Sequence, residues 1–395
     1  MAYDFYSLVI TVLNGLSEVL VLGAGFGGLA AAVELRRLLP QEHSVTVVDR
    51  RDMFSMGFMN LWLMVGEKSM PRECLFPVKG VEKRGVRFIN EEIVEIDPAS
   101  RKVVTSGNVY TPDVVVVALG AEYAFDAVPG FREHAHNFYD LMGAYAAQNM
   151  LKDFTHGHIA ILIAKPPYKC PPAPYEAALL IDSYMRRRGL RDKVEIDVYT
   201  PEPQPMPAAG PVGKRVEQFL TERGIRFHPR KQVKQIMDRR LVFEDDEAEF
   251  DLLLGVPPHR APKPVRESPL VDETGWIPVN PQTMETRFRN VYAIGDVTSV
   301  KLPNGMFLPK AGVFAEAMAL VAARRIAATL QNKPAEELFN GVGYCFFEVG
   351  EGQAGKIVAN FFADPAPSIM FEPPSPRYRD EKVEFGNVRL SNWLL

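Results

Sequence analysis

The first clear pattern along the chain is a short apolar run at residues 18–22, which predicts a strand. A glycine-rich hexapeptide, Gly23 to Gly28, follows at once, and an alanine-rich stretch at residues 29–39 then predicts a helix. A second β-branched run occupies residues 44–48 and is closed by Asp49. This order of strand, glycine turn, helix, strand and acid predicts a βαβ unit with a parallel pair of strands.

The residue types in this unit suit a bound dinucleotide. Gly23 permits the tight turn, Gly25 lets the backbone approach a pyrophosphate, and Gly28 permits close packing of helix on strand. Asp49 follows Gly28 by 21 residues, where its carboxylate is expected to accept a hydrogen bond from a ribose hydroxyl. The motif predicts a dinucleotide site and does not by itself choose between FAD and NAD.

Two further apolar runs end in glycine. Residues 113–119 predict a buried strand that ends at Gly120, and residues 290–294 predict another that ends in Gly295-Asp296. A helix is expected after the second run, over residues 312–330. The plain alternative for Asp296 is a carboxylate in a turn at a strand end.

A second strand–loop–helix unit lacks the glycines. Residues 158–164 predict a strand and residues 175–188 a helix, but five of the ten residues at 165–174 are proline and none is glycine. Proline has no N–H to offer a phosphate, so this loop cannot cradle a pyrophosphate. The loop carries Cys170 instead, and the adjacent Lys169 is expected to favour its thiolate.

Composition narrows the class of protein. The 395 residues predict two or three domains, and 47% hydrophobic with 24% charged residues is ordinary for a globular protein. Net charge is −4, from 45 basic and 49 acidic residues, so no basic excess indicates a nucleic-acid partner. Three cysteines are too few for a disulfide-rich secreted scaffold.

The start of the chain gives weak targeting signals. Residues 1–22 are apolar but include Asp4 and no basic segment, so we expect no signal peptide. No other stretch has the roughly 18–20 apolar residues that span a bilayer, which predicts a soluble or peripheral membrane protein without a transmembrane helix. Residues 1–17 are expected to form an extension, to which the sequence assigns no role.

The run KCPPAPYE at residues 169–176, with flavin-type fingerprints on either side, carries a family resemblance. From about residue 18 to 362 the chain resembles the sulfide:quinone oxidoreductases and the flavoprotein of flavocytochrome c sulfide dehydrogenase, within the two-dinucleotide-domain disulfide reductase superfamily. The resemblance implies an α/β fold with two Rossmann-like three-layer domains and a small C-terminal region. The implied bounds are 18–130 with 262–332 for the FAD domain, 131–261 for the inserted, degenerate NAD-type domain, and 333–395 for the C-terminal interface region.

The resemblance also implies the site residues. Cys345 is expected to pair with Cys170 as a redox-active disulfide over the flavin, the alternative being two buried structural thiols. Glu176 is expected to move protons near the flavin, the alternative being a favourable acid in a helix first turn. Lys310 is expected to stabilise the anionic reduced flavin, the alternative being a solvated lysine. The implied FAD-binding residues are Gly23, Gly25, Gly28, Asp49, Gly120, Gly295, Asp296 and Lys310.

The implied function is an FAD-dependent sulfide dehydrogenase. Sulfide attacks the Cys170–Cys345 disulfide, sulfur leaves as sulfur or polysulfide, and electrons pass through FAD to a quinone or to cytochrome c. One alternative is a type II NADH:quinone oxidoreductase, against which the proline-rich loop argues. The other is a flavin-binding redox or electron-transfer subunit without turnover of its own.

Departures from the family pattern shape the remaining expectations. Residues 51–57 contain no cysteine, so FAD is expected to be noncovalent, and Cys74 is expected to be an inert thiol. Two close histidine pairs, at 134 and 136 and at 156 and 158, lack further spaced ligands, so no metal site is expected.

The end of the chain departs as well. The residues after Cys345 are broken by prolines and finish in a short charged stretch at 377–395, so a membrane-anchoring pair of helices is not expected. The tip at Trp393, Leu394 and Leu395 is expected to make at most a weak peripheral contact with a membrane surface. Association into a homo-oligomer stays open.

Overall fold

A computed structural model describes residues 16–395. The extension expected at residues 1–17 therefore lies almost wholly outside the described residues.

Residues 16–395 form twenty-four strands and nine α-helices, numbered in chain order. The strands are β1 Glu18–Leu22, β2 Ser44–Val48, β3 Met53–Phe54, β4 Phe76–Pro77, β5 Arg87–Ile89, β6 Ile93–Asp97, β7 Lys102–Thr105, β8 Val109–Tyr110, β9 Val114–Val117, β10 Glu122–Tyr123, β11 Gly157–Ile163, β12 Val194–Tyr199, β13 Arg226–His228, β14 Val233–Met237, β15 Arg240–Phe243, β16 Glu247–Glu249, β17 Leu252–Val256, β18 His259–Arg260, β19 Ile277–Pro278, β20 Val291–Ala293, β21 Thr298–Ser299, β22 Val342–Gly350, β23 Gln353–Asn360 and β24 Ser368–Ser375. The α-helices are α1 Phe26–Leu38, α2 Met59–Met64, α3 Phe131–His134, α4 Leu141–Asp153, α5 Ala173–Arg187, α6 Pro211–Glu222, α7 Lys263–Arg266, α8 Gly312–Leu330 and α9 Pro376–Trp393.

The first domain is built on a five-stranded parallel sheet with the order β20-β9-β1-β2-β5. Its central strands are continuous apolar runs because both faces are covered: the side chains of Val19, Leu20 and Val116 are fully buried. Helices α1 and α8 pack against each other on one face. Strand β20 comes late in the chain yet joins β9, so one domain is split by an insertion, as the sequence predicts.

The insertion forms a second parallel sheet with the order β13-β12-β11-β17. Helix α5 connects β11 to β12, which is the crossover expected of a βαβ unit. A short antiparallel pair, β10 with β18, lies where the chain enters and leaves the insertion. The α/β class with two Rossmann-like units is confirmed, and the domain bounds given above stay predictions.

The C-terminal region is an antiparallel sheet, β22-β23-β24, followed by α9. Pro373 and Pro374 lie in β24, an edge strand, where a missing N–H leaves no unmade bond inside the sheet. Pro376 begins α9, and the closeness of Gly386 to Phe58 explains the glycine inside this helix, since a Cβ there would lie 3.1 Å from that ring. The final stretch is thus one regular helix of 18 residues.

The expectation that Trp393 and Leu394 form a surface tip is wrong. Trp393 is 4% exposed and Leu394 is 3% exposed, and the Trp393 ring packs edge-on against Phe26, with 4.9 Å between ring centres. The indole is buried because α9 returns to the glycine-turn end of α1. Leu395 alone of the three is exposed. Within residues 16–395, no helix combines the length and apolarity needed to cross a bilayer.

Candidate functional site

The glycine turn between β1 and α1 has the shape that a dinucleotide requires. Gly23 has φ +103°, and a Cβ there would lie 2.5 Å from the Ala118 carbonyl oxygen. A Cβ at Gly28 would lie 1.8 Å from the Gly23 carbonyl oxygen, whereas a Cβ at Gly25 would meet no atom within 4 Å. Backbone atoms therefore pack closely against the turn at Gly23 and Gly28, whereas the space at Gly25 is free. A pyrophosphate fits on the Gly25 side.

Asp49 has a second task that the sequence did not reveal. Its Oδ2 accepts a hydrogen bond from the backbone N–H of Ala24 at 2.7 Å, and its Oδ1 accepts one from the N–H of Arg51 at 2.8 Å. The carboxylate is 6% exposed as a residue. Asp49 therefore holds the glycine turn to the end of β2, and the contact with a ribose stays a prediction.

The remaining predicted cofactor residues follow the strands β9 and β20, which neighbour each other in the first sheet. Gly120 and Gly295 both have positive φ, at +65° and +73°. No side-chain hydrogen bond engages the Asp296 carboxylate within residues 16–395; burial raises its pKa, and the nearby Lys310 and Lys169 cations oppose that rise. A buried carboxylate without such a bond can accept hydrogen bonds from hydroxyl groups, and its contact with the ribityl region of FAD stays a prediction.

Lys310 is buried, so the alternative of a solvated lysine is wrong. Its Nζ donates to the carbonyl oxygens of Asp296 at 2.7 Å and Thr298 at 2.9 Å, and lies 3.6 Å from the ring centre of Trp276. Burial lowers the pKa of Lys310 to about 8, although the Asp296 carboxylate acts in the opposite direction. The side chain is therefore a buried cation, and its stabilisation of a negative charge on the reduced cofactor stays a prediction.

The proline-rich loop places Cys170 in a strained and fixed conformation. Cys170 has φ +50°, a left-handed conformation that costs a non-glycine residue about 1–2 kcal/mol. Its N–H donates to the Lys310 carbonyl oxygen at 2.7 Å, and its carbonyl oxygen accepts from Ala173 N–H and from Tyr139 Oη–H, each at 3.0 Å. The loop is therefore held against the first domain through Lys310.

Cys170 and Cys345 are brought to the same place from distant parts of the chain. Both are free, half-buried thiols that pack against one apolar cluster. Burial raises the pKa of Cys170 well above its usual range, and the charges of Cys345 and Glu176 raise it further. Burial also raises the pKa of Cys345 to about 12, with Glu176 adding to the effect. The Glu176 carboxylate therefore raises the pKa of both thiols.

The expectation that Lys169 promotes a Cys170 thiolate is wrong. Its Nζ points to Tyr123, lying 4.8 Å from that ring centre. The cation that lowers the pKa of both thiols is Lys382, which α9 supplies.

Glu176 lies in the first turn of α5 and is 2% exposed. Its Oε1 accepts from the Lys382 ammonium at 2.8 Å and from the Glu348 N–H at 3.0 Å. Burial raises the pKa of Glu176, while Lys382 lowers it. The helix dipole alone does not account for a carboxylate held in this way, because the ion pair and the bond to the Cys345 strand bind it from other elements.

Four residues of this cluster were missed by sequence reasoning. Lys382 Nζ lies 2.7 Å from Glu348 Oε1, Arg379 Nε lies 2.9 Å from Glu348 Oε2, and the indole N–H of Trp62 donates to Glu348 Oε1 at 2.6 Å. Glu348 is three residues beyond Cys345, which was the one available signal. Nothing in the linear sequence connects a charged terminal helix to the proline-rich loop.

An apolar pocket of about 480 Å³ lies between the proline-rich loop, the segment at 298–314 and the strands β22 and β23. Pro171, Lys310 and Cys345 lie in its wall, and Phe314 and Phe361 provide aromatic surface. The pocket therefore reaches one of the two thiols and the buried lysine. Its lining suits an apolar occupant.

The other sequence candidates lie outside this site. Cys74 is fully buried beside Leu63 and Ala144, and burial raises its pKa. No group of three or more metal-ligating side chains that could hold an ion occurs within residues 16–395.

Two family models match the chain. One, described as pyridine nucleotide-disulphide oxidoreductase, matches residues 17–162 and 183–322. The other, described as the central part of the flavoprotein chain of sulfide dehydrogenase [flavocytochrome c], matches residues 146–200. The first match is interrupted around the proline-rich loop, and the second covers that loop.

Relatives with assigned functions and a solved structure agree with these matches. The chain is 28% identical over 374 residues to the sulfide-quinone reductase of Aquifex aeolicus, covering 88% of this chain and 84% of that one. It is 23% identical to the mitochondrial sulfide:quinone oxidoreductase of Mus musculus, over 91% of this chain and 82% of the relative. The crystal structure of the Aquifex aeolicus sulfide:quinone oxidoreductase has the same fold, with a TM-score of 0.85, 24% identity and coverage of 94% and 90%. The family and these relatives imply a flavin cofactor. The chain belongs to the pyridine nucleotide-disulphide oxidoreductase family.

Proposed function

We propose that the chain is an FAD-dependent sulfide dehydrogenase that works through a Cys170–Cys345 disulfide and passes electrons through FAD to a quinone. One observation carries the proposal. Two thiols from distant parts of the chain meet on one apolar cluster, and a single buried carboxylate, Glu176, acts on both. The sulfide-oxidising relatives named above support this assignment of the donor.

The cleft fits a noncovalent FAD. Gly25 leaves room for a pyrophosphate, Asp296 offers an unengaged carboxylate, and Lys310 offers a buried cation. The nearby segment at 51–57 has no cysteine to form a covalent link. When bound, FAD would supply a two-electron acceptor for the sulfur chemistry.

The protein's own residues account for the sulfur chemistry. A hydrosulfide ion attacks one sulfur of the Cys170–Cys345 disulfide; the S–S bond breaks, a persulfide forms on one cysteine and a thiolate leaves on the other. Over a turnover each hydrosulfide loses two electrons and one proton. Bound FAD would be the acceptor for the two electrons, and we assign the proton to Glu176, the buried base of the cluster.

Lys382 is the group that keeps Glu176 able to accept this proton. Burial and the Glu348 carboxylate favour the protonated acid, whereas the ammonium at 2.8 Å, helped by the Glu348 N–H at 3.0 Å, favours the carboxylate. Arg379 and Lys382 both bind Glu348, so α9 is held on the site by two ion pairs. The terminal helix thus contributes directly to the chemistry that we propose.

The apolar pocket gives the oxidised sulfur a place to accumulate. Cys345 lies in its wall, and the prolines that follow Cys170 form part of its lining. Zero-valent sulfur is apolar, so a growing chain is better placed in this pocket than in water. We therefore infer that the product grows into the pocket as a sulfur chain before release.

The proline-rich loop argues against NADH as the donor. The N–H of Cys170 is already bound to the Lys310 carbonyl oxygen, and the surrounding prolines have none to offer. At the position of a second pyrophosphate, the loop therefore has a Cys170 N–H that is already bonded and prolines that have no N–H to donate.

The experiment is a steady-state assay with sulfide and two acceptors, a short-chain ubiquinone and cytochrome c. We expect sulfide-dependent quinone reduction and formation of sulfane sulfur, with cytochrome c reduced far more slowly. Faster reduction of cytochrome c would replace the quinone by a cytochrome acceptor. Absence of turnover with either acceptor, in protein that contains FAD, would contradict the proposed enzyme and support a non-turnover subunit.

A further inference from the structure

His259 presents a buried ring nitrogen that has no partner in the described part of the chain. The residue is 8% exposed, and its Nδ1 lies 2.8 Å from the Pro257 carbonyl oxygen. A carbonyl oxygen can only accept, so Nδ1 carries the hydrogen and Nε2 carries a lone pair. This Nε2 is buried and has no hydrogen-bond partner among residues 16–395. A buried acceptor atom without a partner indicates that a donor from outside the chain binds to it.

The surroundings connect His259 to the Cys170 loop. Its ring packs edge-on against Tyr123 and Tyr139, with ring centres 5.1 Å and 5.9 Å apart. Tyr139 Oη–H donates to the Cys170 carbonyl oxygen at 3.0 Å, and Tyr123 Oη–H donates to the Tyr139 carbonyl oxygen at 2.8 Å. The imidazole is therefore one side chain away from the backbone of Cys170.

A cation faces the same region. Lys169 precedes Cys170, and its Nζ lies 4.8 Å from the centre of the Tyr123 ring against which His259 packs. Burial lowers the pKa of His259 to about 3, and the Lys169 and Lys310 cations act in the same direction. The imidazole is therefore neutral near pH 7, and Nε2 is an acceptor.

A negative ion that carries its own hydrogen matches both groups. This inference rests on the proposed function. We propose that His259 and Lys169 bind the hydrosulfide ion before it attacks the disulfide, with the S–H donating to Nε2 and the sulfur accepting from the Lys169 ammonium. A halide ion has no hydrogen to donate and an organic thiolate has no S–H, so the pair selects hydrosulfide over other soft anions.

The test is rapid anaerobic reduction of the bound flavin at increasing sulfide concentration. In His259→Leu the half-saturating sulfide concentration rises about 10-fold, because a hydrogen bond to a charged ligand is lost, while the limiting rate changes less than 2-fold. His259→Gln, whose Oε1 restores an acceptor, recovers most of the affinity. His43→Gln, at a buried histidine far from the loop, leaves both values unchanged.

Lys169→Gln provides a second and independent variant. It raises the half-saturating concentration as well, and the double variant with His259→Leu loses less than the product of the two single effects, because both groups hold one ion. This variant keeps the proposal testable if His259→Leu fails to fold.

Three results would overturn the inference. An unchanged half-saturating concentration in His259→Leu would mean that Nε2 holds only a water molecule. Loss of FAD from that variant, with unchanged sulfide affinity in the molecules that retain it, would assign the nitrogen to the cofactor. A wild-type flavin that sulfide does not reduce would instead contradict the proposed function, and this inference would fall with it.

Discussion

The two βαβ units of this chain share a topology and differ in one turn. In the first unit the turn after β1 is glycine-rich, and the space in front of Gly25 is open. In the second unit the loop after β11 is proline-rich, its backbone N–H at Cys170 is bound to Lys310, and a thiol lies where open backbone would be. The difference shows that the fold of a dinucleotide unit can be kept while its loop loses the glycines that would admit a pyrophosphate. Sulfur chemistry is the use that we propose for the changed loop.

Replacing either thiol is expected to have the largest effect. In Cys170→Ser and in Cys345→Ser, sulfide-dependent flavin reduction falls at least 1,000-fold, on the order seen when a covalent catalytic group is removed. FAD content stays at the wild-type level because neither thiol belongs to the glycine turn. Anaerobic stopped-flow absorbance and the ratio of flavin to protein absorbance measure the two quantities.

Cys74→Ser is the matched control for these variants. Cys74 lies in a separate apolar cluster beside Leu63 and Ala144, so flavin reduction by sulfide is expected to stay within 2-fold of wild type. Loss of sulfide activity in Cys74→Ser alone, with the other two variants active, would contradict the assigned pair.

The first turn is tested by adding one methyl group. In Gly28→Ala the new Cβ would lie 1.8 Å from the Gly23 carbonyl oxygen, so α1 must move away from the turn. We expect FAD content after purification to fall about 10-fold or more, by at least the 1.4 kcal/mol that a tenfold change in binding represents. Cys74→Ser, in a separate apolar cluster, serves as a control that leaves the turn unchanged. Full FAD content in Gly28→Ala would show that the packing of this turn is not what fixes the cofactor.

Removing the Lys382 ammonium is expected to shift the pH dependence of the sulfide-dependent rate. Burial already raises the pKa of Glu176 and Lys382 opposes that rise, so Lys382→Met raises the pKa further. The acid is ionised only above its pKa, so the sulfide-dependent rate falls as pH falls through that value. The variant therefore needs a higher pH than wild type to reach its limiting rate.

Lys382→Arg restores a cation and separates charge from packing. We expect a loss of about 10–100-fold at neutral pH in Lys382→Met, in the range that a proton-transfer group contributes, and most of that loss to be recovered in Lys382→Arg. Rates from pH 5 to 9 give the profile, and thermal melting monitors the cost of breaking a buried pair, about 3–5 kcal/mol. An unshifted pH profile in Lys382→Met would contradict the claim that Lys382 lowers the pKa of the group that accepts the proton.

The smallest effect is expected at Arg379, which binds the outer oxygen of Glu348 and also Glu67. Its side chain is 17% exposed, and without it Glu348 keeps Lys382 and the Trp62 indole N–H as partners. In Arg379→Gln we expect a loss of about 1–3 kcal/mol in unfolding free energy and a change in rate under 3-fold. A loss as large as that of Lys382→Met would mean that the docking of α9, rather than the charge near Glu176, controls the rate.

Local patterns predicted the first parallel sheet and its glycine turn well. The strands at 18–22 and 44–48 and the helix at 312–330 have the predicted bounds, because burial on both faces and the glycine turn leave a clear pattern in the chain. The same reasoning predicted a buried environment for neither Lys310 nor Trp393. A single lysine or tryptophan carries no local record of the distant element that covers it.

The partners of Glu176 and Glu348 show the same limit more sharply. Lys382 is 206 residues from Glu176, in a helix with a mixed, highly charged surface, and its contact exists only once α9 returns to the proline-rich loop. Sequence reasoning placed the two cysteines together through family resemblance, and it had no physical signal that would bring a terminal helix to them. Long-range pairing of charges is set by tertiary packing rather than by spacing along the chain.

The most direct measurement is an anaerobic visible spectrum of the purified protein before and after one equivalent of sulfide, with NADH in a parallel cuvette. The rebuilt loop predicts that sulfide bleaches the flavin band and NADH does not. Bleaching by NADH alone would contradict the central claim, because a loop of prolines around a thiol would then be serving a nicotinamide nucleotide.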